Sequence, residues 1–560
     1  MLEELISQGR YFEARSKAEE ILQTASDVRT KQLLALAISK LGMPELALET
    51  IEPVYKQSPD DPESAGILGS IYKELFKKNQ QTKFAILSRD TYQRNFILTQ
   101  NYYTGINAAS MSAMAGQAGQ ARDIAAQVIV LVEQKIPHGF WELATLGEAY
   151  LLIKNKALSA EYYVQARKMA GSDWGQVTSV HNQLWLLNHY IPVAKDVMKL
   201  FGPPNVVAFS GHMIDGPSRT TPRFPASIEQ QIKESIRHSI RTMNARVGYS
   251  SLACGSDILF VESLVEEGAE VNILLPFAKE DFIKTSVHFA GAGWVDRFNK
   301  IMHHHPSSLI TNAPYGGNEE LFSFLGRAIY GAAILRCGAT HSEPSLLTVL
   351  SDSDLKAREG GTRDTVAQWP FAQRHVNINP DIFTLNLPPV VASTSAPSFE
   401  FVKTSDRILY LVYIGLAGLP SSEFHDLIDK YDSGSPDRAL RIAAGDSMES
   451  FFILAFTSES GAMEFVAHLR GSLREFRQEN LIKLALHVGT VAIESRMLSG
   501  QAIEDLKEIG SHVGAGLVCA SEQFAWELVL STKSYQLHRA GVISTQGKRN
   551  WTFYNVEILD

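Results

Sequence analysis

The stretch Asn205-Val206-Val207-Ala208-Phe209-Ser210-Gly211-His212 decides how the middle of this chain folds. Four apolar residues run without a break into a Ser-Gly turn. Such a run suits a strand covered on both faces, as in a parallel sheet with helices on either side. The texture recurs at Ala245–Tyr249, Glu270–Leu275, Leu309–Thr311, Ala332–Arg336 and Leu346–Leu350, with helix-permissive sequence between. The expectation is a parallel α/β sheet with crossover helices, starting after Phe201-Gly202-Pro203-Pro204 and spanning 203–385.

Three loops of this segment carry the chemistry. In the first, Ser210, Gly211 and His212 follow the strand, and a small-residue turn leaves backbone N–H groups free to face a phosphate. The second, Ser250-Ser251-Leu252-Ala253-Cys254-Gly255-Ser256-Asp257, opens the helix expected at Ile258–Glu267. There Gly255 lets a ligand approach the backbone, and Ser256 or Asp257 serves as helix cap or as a partner for ribose. The third, Arg358-Glu359-Gly360-Gly361-Thr362-Arg363-Asp364, precedes a helix at Thr365–Trp369; Gly360, Gly361 and Thr362 offer amides and a hydroxyl to an anion.

Other features are weighed beside these. Arg219 and Arg223, in a Pro-rich loop with His212 upstream, read either as phosphate partners or as solvated loop charges. Cys254 reads as a packed or ligand-adjacent thiol, since no His partner can be assigned to it. Successive positions in His303-His304-His305 point in different directions and do not make a ligand set, so no metal is expected. His341-Ser342-Glu343 is a candidate pocket edge of low specificity.

In order and spacing the three loops resemble the SLOG superfamily of Rossmann-like domains, which includes LOG-like enzymes and sensors of nucleotide-derived signals. Gly255 and Asp257 keep that family's second-loop pattern, while its leading glycines are missing. The resemblance implies a nucleotide or NAD-derived ligand. LOG-like enzymes cleave a nucleotide's N-glycosidic bond with a Glu and an Arg from a Pro-Gly-Gly-x-Gly-Thr-x-x-Glu motif. Here the stretch reads Glu359-Gly360-Gly361-Thr362-Arg363-Asp364-Thr365, where Asp364 stands at a different offset as the one weak catalytic candidate. Binding is therefore expected ahead of catalysis.

Residues 1–200 are helix-permissive almost throughout. Tyr11-Phe12-Glu13-Ala14, Leu41-Gly42-Met43-Pro44-Glu45-Leu46-Ala47 and Pro62-Glu63 leading to Leu68–Lys73 resemble tetratricopeptide (TPR) repeats, where small residues let paired helices approach. Asn101–Ala109 and Phe140–Thr145 resemble the TRAFs-binding helical region of apoptosis-signal-regulating kinases and its bacterial relatives. Both resemblances imply an all-α module that recruits a protein partner.

A linker is expected at 386–400 from its Pro, Ser and Ala content. Residues 401–560 then read as an α+β, ferredoxin-like domain with strands at Ile408–Ile414, Arg441–Asp446, Ser450–Phe456 and Ile482–Val488, and helices near Gly461–Arg474 and Ala502–Gly510. Gly445-Asp446, Leu486-His487-Val488-Gly489 and Ser499–Ile503 resemble a class III nucleotidyl cyclase homology domain. Tyr413 stands where that family's first metal-binding Asp belongs, and Glu504 and Glu508 replace its Asn and Arg. Acids facing a polyphosphate repel it, so the resemblance implies an inactive, self-associating domain and a homo-oligomer.

The bulk numbers fit a globular chain of several domains. It has 560 residues, 45% hydrophobic and 20% charged, with a net charge of −9 that gives no nucleic-acid signal. Three scattered cysteines, acids near the N-terminus and no run of about 18 apolar residues favour a reducing, cytoplasmic setting without a membrane. The reading is thus a regulator that holds a small nucleotide-type ligand and assembles through its flanking parts. The alternatives are an N-glycosidic-bond hydrolase and an architectural scaffold. The domain combination would suit bacterial immunity such as antiviral defence, by resemblance alone.

Overall fold

Turn chemistry lays out the first two hundred residues. Asp27, Asp61, Asn101, Asn155 and Asp173 each accept a hydrogen bond from a backbone N–H in the first turn of the helix that follows. Pro44 and Pro62 occupy the first helical position, where no N–H is needed. The helices so started include Val28–Lys40, Pro44–Gln57, Pro62–Asn79, Thr82–Thr99, Tyr102–Met114, Ala118–Glu133, Phe140–Leu152, Lys156–Ala170 and Trp174–Asn188. Each packs on its neighbour in sequence.

One device appears twice in that packing. A Cβ on Gly69 would lie 2.9 Å from the ring of Tyr92, and one on Gly147 would lie 2.8 Å from the ring of Tyr163. Ser88 and Ser159 donate their hydroxyls to the carbonyls of the same two glycines, at 2.7 and 2.8 Å. Ser and Tyr are four residues apart in both cases, on one face of a helix. A bare glycine thus receives a ring and a hydroxyl together, which fixes the depth and axial position of the neighbouring helix.

The computed structural model describes the chain except for residues 172, 306, 312, 353–360, 386, 389–398, 400, 402–405, 435–439, 443–450, 476–477, 495–496, 532–534, 545–549 and 559–560. It divides into one unit of Met1–Pro203 with His538–Ser544, and a second of Pro204–Leu537 with Thr545–Asp560. Of the expected linker at 386–400, only 387, 388 and 399 are among the described residues.

The second unit holds two sheets. The first is built of β1 (Asn205–Gly211), β2 (Ala245–Ser250), β3 (Glu270–Leu275), β4 (Ser307–Leu309), β5 (Ser345–Val349) and β6 (His375–Ile378). Its order is β4-β3-β2-β1-β5-β6, parallel throughout. Ala332–Arg336, expected as a strand, lies instead inside helix Glu320–Gly338, and β6 was not foreseen. A short apolar run has no period of its own; length decides, and this one belongs to 19 continuous helical residues. The helix expected at Thr365–Trp369 starts earlier, at Thr362, and ends at Ala367.

The second sheet contains β7 (Arg407–Leu416), β8 (Leu440–Ile442), β9 (Phe451–Phe456), β10 (Ile482–Glu494), β11 (Met497–Ser499), β12 (Val518–Ser521) and β13 (Asn550–Ile558). Its order is β13-β12-β10-β7-β9-β8, with β11 on β10. It is mixed, because β10 runs antiparallel to β7 and parallel to β12. The strand expected at Arg441–Asp446 is seen to Ile442, and the rest of it lies outside the described residues.

Helix Glu320–Gly338 joins the two sheets into one core. By length and composition it could cross a membrane. Here Phe324, Ala328, Ile329 and Ala332 are buried in a cluster that includes Val206 and Leu346 of the parallel sheet and Val412, Leu484 and Phe524 of the mixed region. Helix Glu522–Leu528 lies against it so closely that a Cβ on Gly331 would sit 2.3 Å from the Trp526 carbonyl oxygen. Arg327 Nε donates to Glu527 Oε1 at 3.0 Å, Tyr410 Oη donates to Glu527 Oε2 at 2.9 Å, and the Thr311 and Thr490 hydroxyls meet at 2.7 Å.

Gly331→Ala is therefore expected to destabilise the second unit by roughly 1–3 kcal/mol, since the opposing atoms are backbone and cannot rotate away. Arg327→Ala should cost on the order of 2–3 kcal/mol by leaving the buried Glu527 carboxylate without its cation, and the paired Arg327→Met, Glu527→Leu change should cost less. Urea unfolding of the full chain, followed by Trp fluorescence, measures all three.

Candidate functional site at the carboxyl edge of the parallel sheet

β1 has β2 on one side and β5 on the other, so the strand order reverses at β1, the switch point at which open α/β sheets form a crevice at the carboxyl ends of their strands. Short bonds draw the first two loops together there. The His212 N–H donates to the Val349 carbonyl at 2.9 Å, and the Ser351 N–H donates to His212 Nε2 at 2.9 Å, tying the β1 and β5 loops through a buried imidazole. The His212 carbonyl accepts from both the N–H and the hydroxyl of Ser256, at 3.2 and 2.8 Å.

Glycine is required at two points of this crossing. Gly255 has φ +99°, and a Cβ there would lie 2.4 Å from the Ile214 nitrogen. A Cβ on Gly211 would lie 2.2 Å from Ser256 Oγ. The glycines thus serve approach of loop to loop. Ser256, fully buried, spends its hydroxyl on that joint and turns no donor toward a ribose.

The third loop arrives from the other side. Ser210 Oγ lies 3.4 Å from Thr365 Oγ1, and Arg363 Nη2 donates to the Ser351 carbonyl at 2.9 Å. Gly361 caps helix Thr362–Ala367, which carries Asp364, half-buried, in its first turn. Gly360 lies outside the described residues. Ser210, Gly211, His212, Gly255, Ser256 and Thr362 thus belong to one loop cluster. Arg219 is engaged in its own loop: it pairs with Asp215 at 3.2 Å, and Asp215 Oδ2 also accepts the N–H groups of Arg223 and Phe224.

Two groups below the loops are shifted by burial. The Asp257 carboxyl, accepting from the Ala253 N–H at 3.3 Å, is pushed up to about 7, burial outweighing the pull of the Ala253 and Gly211 N–H groups. Burial, with Asp257 beside it, pushes the Cys254 thiol up to about 12, so it stays protonated and packed.

Sequence reasoning passed over Ser250, Ser251, Ser351 and Asp381. The hydroxyls of Ser250 and Ser251 are buried at the end of β2 with no hydrogen-bond partner among the described residues. Ser351 Oγ donates to Asp381 Oδ1 at 2.5 Å. The Ser-Ser pair lies in the same loop as Gly255 but carries no motif of its own. Orphaned buried hydroxyls beside a crevice are positions a polar ligand would satisfy.

Two histidine motifs fall elsewhere. His341-Ser342-Glu343 precedes β5, at the amino edge, opposite the crevice. His303 and His304 end helix Ala292–His304 ahead of β4, their rings edge to face at 4.9 Å. In the mixed sheet, Tyr413 is buried, its ring stacked on Phe451 and pressed by Gly510, where a Cβ would come within 2.5 Å of it. Glu504 is exposed and bonds Lys507 at 2.8 Å, while Gly445-Asp446 lies outside the described residues.

Residues 10–112 match a family model described as Tetratricopeptide Repeats-Sensor, so the N-terminal region is a TPR-like helical module. Similar solved structures include a thermophilic TPR protein of Thermus thermophilus, at 18% identity over 33% of this chain and 95% of that one, with a TM-score of 0.28. An adenylate/guanylate cyclase/hydrolase from Silicibacter pomeroyi is 12% identical over 28% of this chain and 99% of that one, TM-score 0.24. The adenylyl cyclase CyaB from P. aeruginosa is 14% identical over 28% and 97%, TM-score 0.22. No curated protein matches the chain in sequence.

The raised Asp257 carboxyl has a defined signature in stability. Its protonated form is favoured in the folded chain, so its contribution is full below the unfolded pKa near 4 and is lost as pH rises through about 7. Asp257→Asn should flatten this part of the profile and leave the variant more stable than the parent at pH 8, by on the order of 1–3 kcal/mol. Thermal melts from pH 5 to 8 read the difference, and parallel profiles for the two proteins would refute it.

Proposed function

We propose that the chain is a regulatory or signalling protein that binds a nucleotide or NAD-derived ligand at the carboxyl edge of its parallel sheet. The observation that carries this reading is the pair of orphaned hydroxyls, Ser250 and Ser251, beside the β1/β5 switch point. The Ser210–His212 and Gly361–Thr365 loops converge on the same edge and support it. The three-loop resemblance to the SLOG superfamily supplies the ligand class.

The TPR-like module recruits a protein partner, as its helical pairs suit it to do. The mixed-sheet domain serves as a degenerate cyclase homology domain in self-assembly. Packing of Tyr413 beneath Gly510 favours a structural role for the position where a metal-binding Asp would stand.

A second reading, cleavage of an N-glycosidic bond, draws on one observation. A carboxyl with a pKa of about 7, buried under the ligand loops, has the proton affinity a general acid needs near neutrality. Asp257 then takes the role that Asp364 held by sequence offset.

One experiment separates the two. With a panel of nucleotides and NAD derivatives, a ligand that raises the melting temperature without release of free base or ribose phosphate is the expected result. Release of base, lost in Asp257→Asn, would establish the hydrolase instead. Gly361→Asp should abolish the ligand-induced shift by placing a like charge in the loop, and an unchanged shift would remove the ligand from this edge.

A further inference from the structure

The helical module contains a cavity of about 430 Å³ on helices that the TPR-like assignment treats only as a scaffold. Among the described residues three lysines, Lys40, Lys73 and Lys77, line it with one carboxylate, Glu148, in a chain whose net charge is −9. Lys77 is paired with Glu74 at 2.7 Å, which leaves Lys40 and Lys73 facing Glu148.

Lys73 is the centre of the arrangement. Its ammonium donates to Asn107 Oδ1 and to Gln183 Oε1, each at 3.0 Å. Both amides are held in that orientation from behind, because Asn107 Nδ2 donates to the Tyr103 carbonyl at 2.8 Å and Gln183 Nε2 donates to Glu148 Oε1 at 2.7 Å. The cation therefore rests on two neutral dipoles, with no carboxylate bonded to it directly. An ammonium has three N–H groups, and two are used. Burial pulls this ammonium down to about 8, with the Lys77 charge adding to the effect and Glu148 and Glu74 opposing it, so a bound anion beside it would favour the charged form.

Aromatic surface completes the lining. Tyr103 and Trp141 both face the cavity, and they stay 55% and 50% exposed, although nearby Tyr92 and Phe140 are buried. Exposed rings beside a cation and fixed amides suit a ligand that carries a charge together with a flat heterocycle. The volume is that of a small-molecule site.

We infer that this cavity binds a small organic anion bearing a planar ring, of the nucleoside monophosphate kind, with Lys73 on the phosphate and Trp141 or Tyr103 against the base. The site is separate from the sheet-edge site and stands whether or not that one is occupied.

The test is titration calorimetry of adenosine 5′-monophosphate into the full chain carrying Gly361→Asp, which silences the sheet-edge loop. Saturable binding is expected, weakened about tenfold or more by Lys73→Gln, and several-fold by Trp141→Ala. Trp141 is half exposed, so its variant keeps the fold if the Lys73 change does not. Inorganic phosphate should bind more weakly than the nucleotide. Absence of binding, or binding that neither change weakens, overturns the inference. So does capture of a short peptide through its free carboxylate when the nucleotide does not bind, an outcome that would make the cavity a peptide site.

Discussion

Helix Glu320–Gly338 has apolar side chains that must be covered by both sheets at once, and the architecture of the second unit follows from that demand. The parallel sheet takes one side through Val206, Ala208 and Leu346; Phe524, Trp526 and the strands bearing Tyr410 and Val412 belong to the same core. Close approach is possible only because position 331 has no side chain, and the approach is locked by the Arg327–Glu527–Tyr410 bonds, which satisfy a buried carboxylate on both oxygens. The placement of the crevice follows in turn, since the same helix backs β1, whose end forms one wall.

Much of this was legible in residues. Short runs with apolar residues marked β1, β2, β3 and β5 to within two residues, and those of β1 and β5 are nearly continuous, as strands buried on both faces require. The same lack of periodicity made Ala332–Arg336 look like a strand. Its true state is set by Gly326, Gly331 and the alanines, which permit close packing on more than one side, and that requirement comes from Thr365 against Gly326 and Trp526 against Gly331, both outside the helix's own sequence. β6 escaped notice because His375-Val376-Asn377-Ile378 is an edge strand with mixed polarity.

The candidate site was legible as loops and not as bonds. Gly211 and Gly255 stood out as glycines, but sequence could not say that their space would be filled by a neighbouring loop. Ser256 and His212 read as ligand partners and turn out to stitch loops together. Ser250 and Ser251, which keep free hydroxyls, carry no motif; only burial without a partner distinguishes them. The cavity around Lys73 was invisible for a similar reason, since its lining comes from helices spread between residues 40 and 186.

Sharing one helix between two sheets also limits how this chain can be inherited and cut. Neither sheet is a cassette that recombination could pass on alone, because separation at the segment around 386–400 would strip one face of Phe324, Ala328 and Ile329 and leave a greasy helix exposed on the parallel half. The mixed half would lose the surface against which Trp526 lies.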